Sequence, residues 1–141
     1  PGTDGSLRGI SVDEWVRRFA ADSYALNFGG IKGVGHGLQC PSFVSMVLYR
    51  ALGGYQSGNM NGKRLRSDGS AKNAQPGDVV FTTGGTWGHV GICVRNTGSF
   101  ITVVDSNFVG GDGNEVIGRH DVSYAAIGST WQLYSGRGRW Y

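Results

Sequence analysis

Cys40 is the residue whose setting first suggests chemistry. It stands between a glycine-rich stretch, Gly35-His36-Gly37-Leu38-Gln39, and Pro41-Ser42-Phe43-Val44, where a helix is expected to begin. A structural cysteine usually sits inside an apolar strand or helix face. A cysteine at a helix N-terminus instead meets partial positive charge and amide donors that have no acceptor within the helix. Both favour the thiolate, the nucleophilic form of the group. The chemistry open to it is attack on a carbonyl carbon, with neighbouring amides available to hold an oxyanion.

Such a nucleophile needs a base, and the base needs an orienting acceptor. Three histidines compete for the first role. His36 lies in the glycine-rich loop and His120 follows Arg119 in a charged stretch, so both read as surface residues. His89 opens an expected strand within Trp87-Gly88-His89-Val90-Gly91-Ile92, whose glycines let another element approach closely. On the next expected strand Ile101, Val103, Asp105 and Asn107 share one face. If that face is buried, Asp105 and Asn107 need partners. An imidazole on the adjacent strand would serve, because an acceptor fixes its tautomer and leaves the other ring nitrogen for Cys40. From the residues alone an alternative stands: Asp105 and Asn107 end the strand in a turn toward Gly110-Gly111.

The elements that must position these groups follow from periodicity and punctuation. Ser11-Val12-Asp13-Glu14 has the form of a capping box, and Trp15, Val16, Phe19 and Ala20 follow at helical spacing. A second helix is expected from Cys40-Pro41, with Phe43, Val44, Val47, Leu48 and Ala51 on its apolar face and Gly53-Gly54 as its stop. Residues 55–76 read as a polar connection. From Pro76 onward the pattern is that of strands: Val79-Val80-Phe81, His89 to Val94, Phe100 to Val104, Val116-Ile117 and Thr130 to Tyr134. Helices followed by a meandering antiparallel sheet make an α+β fold with helices packed on one side of the sheet.

Composition narrows the class. A chain of 141 residues with 39% hydrophobic and 16% charged residues suits one globular domain. The 26 glycines follow no three-residue period, which excludes a collagen-like rod. No apolar run approaches the roughly 18 residues of a membrane span, so membrane insertion is not expected. A net charge of +3 suits an anionic surface such as a bacterial wall and is too small to argue for nucleic acid. Lys63-Arg64-Leu65-Arg66 and Arg137-Gly138-Arg139 read as a solvated loop and a solvated tail. The start at Pro1-Gly2 leads us to expect a piece of a larger protein, with residues 1–141 forming a single domain. Two cysteines make no disulfide framework, and Cys93, between Ile92 and Val94, reads as a buried inert thiol. No spacing suggests zinc.

Four segments carry a family resemblance. Gly37-Leu38-Gln39-Cys40-Pro41-Ser42-Phe43-Val44 resembles the nucleophile motif of CHAP domains, the cysteine/histidine-dependent amidohydrolases/peptidases. Gln75-Pro76-Gly77-Asp78-Val79-Val80-Phe81 resembles the family's Pro-Gly-Asp strand start, and Gly88-His89-Val90-Gly91-Ile92 its histidine motif. Val104-Asp105-Ser106-Asn107-Phe108 resembles its Glu-Gln-Asn-Trp segment, with Asp for Glu and Phe for Trp. In this order they span most of residues 35–122.

The resemblance implies a papain-like (NlpC/P60-superfamily) fold, with N-terminal helices packed on an antiparallel sheet. It implies Cys40 as nucleophile and His89 as base, with Asp105 and Asn107 at the positions of the acidic and amide partners. Gln39 is implied at the oxyanion site. Trp87 and Phe108 are candidate groove residues, and Trp131 and Tyr134 are candidates for groove or core. No cofactor is expected. Calcium, bound by some relatives through acidic residues before the Cys, is not expected either, since the corresponding loop offers only Asp22. The implied activity is hydrolysis of a peptide or amide bond in bacterial peptidoglycan by a monomeric domain. It would act at the cell wall as part of a phage lysin, a virion-associated lysin or a secreted hydrolase. The rival reading is a catalytically inactive wall-binding or structural module of the same fold.

Overall fold

The computed structural model describes Ser6–Leu7, Ile10–Ser11, residues 39–106 and residues 117–141. Strands β1 (Ser6–Leu7) and β2 (Ile10–Ser11) form a small antiparallel pair. Ser11, the expected helix cap, closes β2. The helix expected after it lies outside the described residues, as do His36, Asn107 and Phe108.

Helix α1 (Cys40–Ala51) begins and ends where its residues require. Gln39 is extended at the N-cap, Pro41 occupies the first turn, and no side chain caps the helix. Proline fits there because its missing N–H would have no partner inside the helix. Beyond Leu52 the chain turns through Gly53 and Gly54, both at positive φ, a conformation that favours glycine.

The main sheet is five-stranded and antiparallel throughout, in the order β6-β5-β4-β3-β7. Its strands are β3 (Val79–Thr82), β4 (His89–Asn96), β5 (Phe100–Ser106), β6 (Ile117–Ser123) and β7 (Gln132–Tyr134). A 3-10 turn (Ala71–Asn73) and a short helix α2 (Tyr124–Ile127) complete the described elements. The chain is thus α+β, but its described helices are not all on one side of the sheet: α1 packs on one face and Ile127 of the short α2 enters the core on the other.

Alternation along the strands divides two cores. Val90, Ile92 and Val94 join Val79, Phe81 and Val104 against Phe43, Val47 and Leu48 of α1. Cys93, Ile101 and Val103 point the other way, into a second core with Val80, Val122, Ile127, Trp131 and Leu133. Burying each Phe or Leu of these clusters stabilises the fold by roughly 1.5–3 kcal/mol.

Three expectations change. First, β5 runs on through Asp105 and Ser106, both buried, so Asp105 lies within the strand and does not end it in a turn. Second, β6 continues well past Ile117 through the polar run Gly118-Arg119-His120-Asp121, pairing residue for residue with β5. Its polar side chains find partners across the pair, as when Thr102 Oγ1 donates to Asp121 Oδ1 at 2.7 Å. Third, the C-terminal segment is not a free tail. Arg139 donates to Asp68 Oδ2 at 2.7 Å and its guanidinium stacks 3.9 Å above the centre of the Tyr134 ring.

The Pro-Gly-Asp segment explains how that segment is anchored. Gly77 turns at positive φ, and the buried Asp78 carboxylate then collects donors from both ends of the chain's second half. Its Oδ2 accepts from the Gln75 amide at 2.9 Å. Its Oδ1 accepts from the Gly136 amide at 2.8 Å and from the Tyr141 hydroxyl. Burial, reinforced by the Asp78 bond, pushes the Tyr141 hydroxyl up to about 12, so it remains a donor at neutral pH.

Candidate active site

The site forms where the start of α1 meets the start of β4. Cys40 is half-buried at the first position of α1. The first intrahelical bond runs from the Phe43 amide to the Gln39 carbonyl at 3.0 Å, so the amides before it have no acceptor inside the helix. His89 is the first residue of β4, and its side chain lies beside Cys40 at the same groove, close enough for the two groups to interact electrostatically.

Glycines place His89. Gly88 sits at positive φ, and a Cβ there would lie 2.7 Å from the Thr82 carbonyl oxygen. Gly62 brings the 55–76 connection against the same hairpin; a Cβ there would lie 2.8 Å from the His89 carbonyl oxygen. Gly91 gives way to β5: its missing Cβ would be 2.5 Å from Val103 Cγ1 and 3.1 Å from Asp105 Cβ. Asp105 therefore rises over Gly91 on one side and faces Gly118 of β6 on the other.

The carboxylate in that slot is wholly buried and holds the imidazole. His89 Nε2 lies 2.8 Å from Asp105 Oδ2, with the His89 side chain 14% exposed and Asp105 0%. Nε2 is thereby fixed as the N–H donor, which leaves Nδ1 as the ring nitrogen for Cys40. Burial pulls the His89 pKa down. The hydrogen bonds to Asp105 and Cys40, with the charges of the same two groups, outweigh it and raise the pKa to about 9. At neutral pH this arrangement favours an imidazolium beside the sulfur. Trp131 braces the ring edge-on, with centroids 6.2 Å apart.

A groove of about 860 Å³ opens in front of Cys40 and His89. Gln39 and Pro41 line one side, Asn61 and Gly62 another, and the β3–β4 turn from Gly84 to Gly88 the third. Trp87 stands on its rim with 77% of its surface exposed. Of the other aromatic candidates, Trp131 is buried in the second core and Tyr134 packs beside the first, so neither lines the groove.

Cys93 is fully buried on the second-core face of β4 and bonds to the Arg95 carbonyl. Burial pushes its thiol up to about 12. Both cysteines are unbridged. Among the described residues no group of three His, Cys, Asp or Glu side chains is arranged to hold a metal ion. No described helix is long and apolar enough to cross a membrane.

The structure thus brings together Cys40, His89 and Asp105, with Gln39 and Trp87 at the groove. It also adds a group that sequence reasoning set aside. His120 Nε2 lies 2.7 Å from the same Asp105 Oδ2. The signal was the pair Gly118-His120 in β6, which mirrors His89-Gly91 in β4: each histidine stands two residues from a glycine that faces Asp105.

The model of the CHAP domain family matches residues 30–107, more than half of the chain. The match takes in Cys40, His89 and Asp105, while β6 and β7 lie beyond it and complete both edges of the same sheet. No curated protein matches the chain. CHAP domains are typically hydrolytic, with amidase or peptidase activity directed at peptidoglycan. The chain belongs to the CHAP domain family.

Proposed function

We propose that this chain is a cysteine peptidoglycan hydrolase of papain-like fold, in which residues 1–141 make one catalytic domain. The observation that carries the reading is Cys40 beside His89 at the wall of an open groove, with His89 hydrogen-bonded in turn to the buried Asp105.

The residues divide the work as follows. Cys40 Sγ, as thiolate, attacks the carbonyl carbon of an amide in peptidoglycan. Negative charge moves to the carbonyl oxygen, where amides at the start of α1 and Gln39 receive it. The His89 imidazolium gives its proton to the leaving nitrogen, the C–N bond breaks, and an acyl thioester remains on Cys40. Neutral His89 then takes a proton from water, which attacks the thioester and releases the acid and the thiolate. Asp105 keeps Nε2 protonated and the ring in place throughout. Trp87 offers the substrate an apolar face, and Asn107 and Phe108, next along the chain, are further candidates. The domain acts on the bacterial wall from a phage lysin, a virion-associated lysin or a secreted hydrolase, with no cofactor.

Mass spectrometry of purified peptidoglycan after digestion tests this against Cys40→Ala and His89→Ala. New amino termini within the peptides, absent with both variants, mark an endopeptidase; stem peptides freed from intact glycan mark an amidase. Release of nothing by the parent, or full activity of Cys40→Ala, would sink the catalytic reading and leave a wall-binding module.

A further inference from the structure

The Asp105 carboxylate serves two imidazoles, and the proposed reaction uses only one of them. Oδ2 lies 2.8 Å from His89 Nε2 and 2.7 Å from His120 Nε2. His89 comes from β4 and His120 from β6, so the two rings flank β5 from opposite sides. Among the described residues the other oxygen, Oδ1, is buried without a hydrogen-bond partner. A buried carboxylate oxygen in that condition is costly, and rotation of the carboxylate or a shift toward water would relieve it. What opposes the rotation is the pair of N–H donors converging on Oδ2. With His89 alone, the carboxylate keeps a single tether, on the ring it is meant to orient.

We infer that His120 is a positioning residue for the Cys40–His89 reaction, acting by holding Asp105 Oδ2 from the far side. This inference rests on the hydrolase reading above. The titratable groups described around the carboxylate are His89 from β4, His120 from β6 and, through His89, Cys40 from α1. Arg119, next to His120, alternates to the opposite face of β6 and is exposed. His120 is 23% exposed at its side chain, against 14% for His89, so it forms the wetter end of the chain of bonds.

The test compares His120→Leu with His120→Gln. Both fill the space, and only glutamine keeps an N–H to offer Asp105. Two quantities are read for each: kcat and KM on purified peptidoglycan, and the rate at which iodoacetamide alkylates Cys40 as a function of pH, followed by mass of the Cys40 peptide. The expected result for His120→Leu is a kcat lowered about tenfold, in the range removal of an orienting contact produces, with KM within about twofold. Its alkylation profile moves its basic limb to lower pH as His89 loses its fixed partner, and glutamine restores most of both. Equal kcat and superimposable alkylation profiles for leucine, glutamine and parent would overturn the inference. Loss of both activities with a collapsed melting transition in the glutamine variant as well would also overturn it, since His120 would then be a folding residue. The alkylation arm needs no wall substrate. If the parent cuts no peptidoglycan, the hydrolase reading fails, and the alkylation profiles alone still decide whether His120 governs the His89–Cys40 pair.

Discussion

Among the described residues two aspartates are buried, and they are satisfied in opposite ways. Asp78 spends both oxygens on donors that do not change: two backbone amides and a tyrosine hydroxyl whose titration is displaced to about 12. Asp105 spends one oxygen on two imidazoles and leaves the other without a partner among the described residues. The first arrangement is what a fold needs, since fixed donors at fixed positions make a buried carboxylate a rivet. The second trades satisfaction for partners whose protonation can change, which is the condition for acid–base work. Burial alone therefore does not separate a structural carboxylate from a functional one; the chemical kind of the donors does.

The largest effect expected from this contrast is at Asp105. Asp105→Asn removes the charge and presents an amide to His89, so kcat should fall by about a thousandfold or more, while the protein stays folded at the assay temperature. Kinetics on peptidoglycan and thermal unfolding of the same sample check both halves. Asp78→Ala should do the reverse. It strands three donors and unties the C-terminal segment, at a cost of about 3 kcal/mol, which lowers the melting temperature by roughly 10 °C. Activity measured well below that transition should stay within about threefold. If Asp78→Ala were stable and inactive, the two carboxylates would have exchanged roles and the comparison would fail.

Titration gives a finer test. The pKa of His89 is raised from 6.5 to about 9, so the folded state binds that proton more tightly than the unfolded chain does. Its contribution to stability is full below about 6.5 and is lost as pH rises through about 9. The activity that depends on the imidazolium should fall over the same upper limb. Denaturant melts and kcat/KM between pH 6 and 10 measure the two together, and Asp105→Asn should bring both limbs down.

The smallest effect concerns the glycines. Gly91 has no room for a side chain, whereas a Cβ at Gly84 would meet nothing within 4 Å and its φ is ordinary. Gly91→Ala should destabilise the sheet. Gly84→Ala should leave the melting temperature unchanged and raise KM a few-fold, because Gly84 borders the groove. An unchanged KM would mean that substrate passes Gly84 by.

Much of this was legible in the sequence, for reasons that are local. The start of α1 at Cys40-Pro41 and its stop at Gly53-Gly54 depend on residues adjacent in the chain, and the helix observed is the one expected. The same holds for β3 and β4, whose apolar runs follow a Pro-Gly turn and a Gly-His pair. What escaped depends on partners far along the chain. The polar run of β6 does not look like a strand until Asp105 and Thr102 are seen opposite it. His120 reads as a surface residue because its partner lies on the other strand. Asp78 reads only as part of a Pro-Gly-Asp strand start, since Gly136 and Tyr141 reach it from the far end of the chain. Arg139 needs Asp68 and Tyr134 in the same way. Asn107 and Phe108 lie outside the described residues.

The burial of Cys93 has a practical consequence. Of the two thiols, one is sealed in the second core and the other faces a groove. A thiol reagent applied to the folded protein thus has one atom to find. On the mechanism proposed above, each molecule that consumes a stoichiometric equivalent is one with its nucleophile intact, so a preparation could be counted by its live sites and not by its mass. The same asymmetry leaves one thiol open to oxidation in air: on that mechanism, oxidation at Cys40 should silence a molecule whose fold is otherwise unchanged, and a reductant that reverses it should restore the count and the activity in the same proportion.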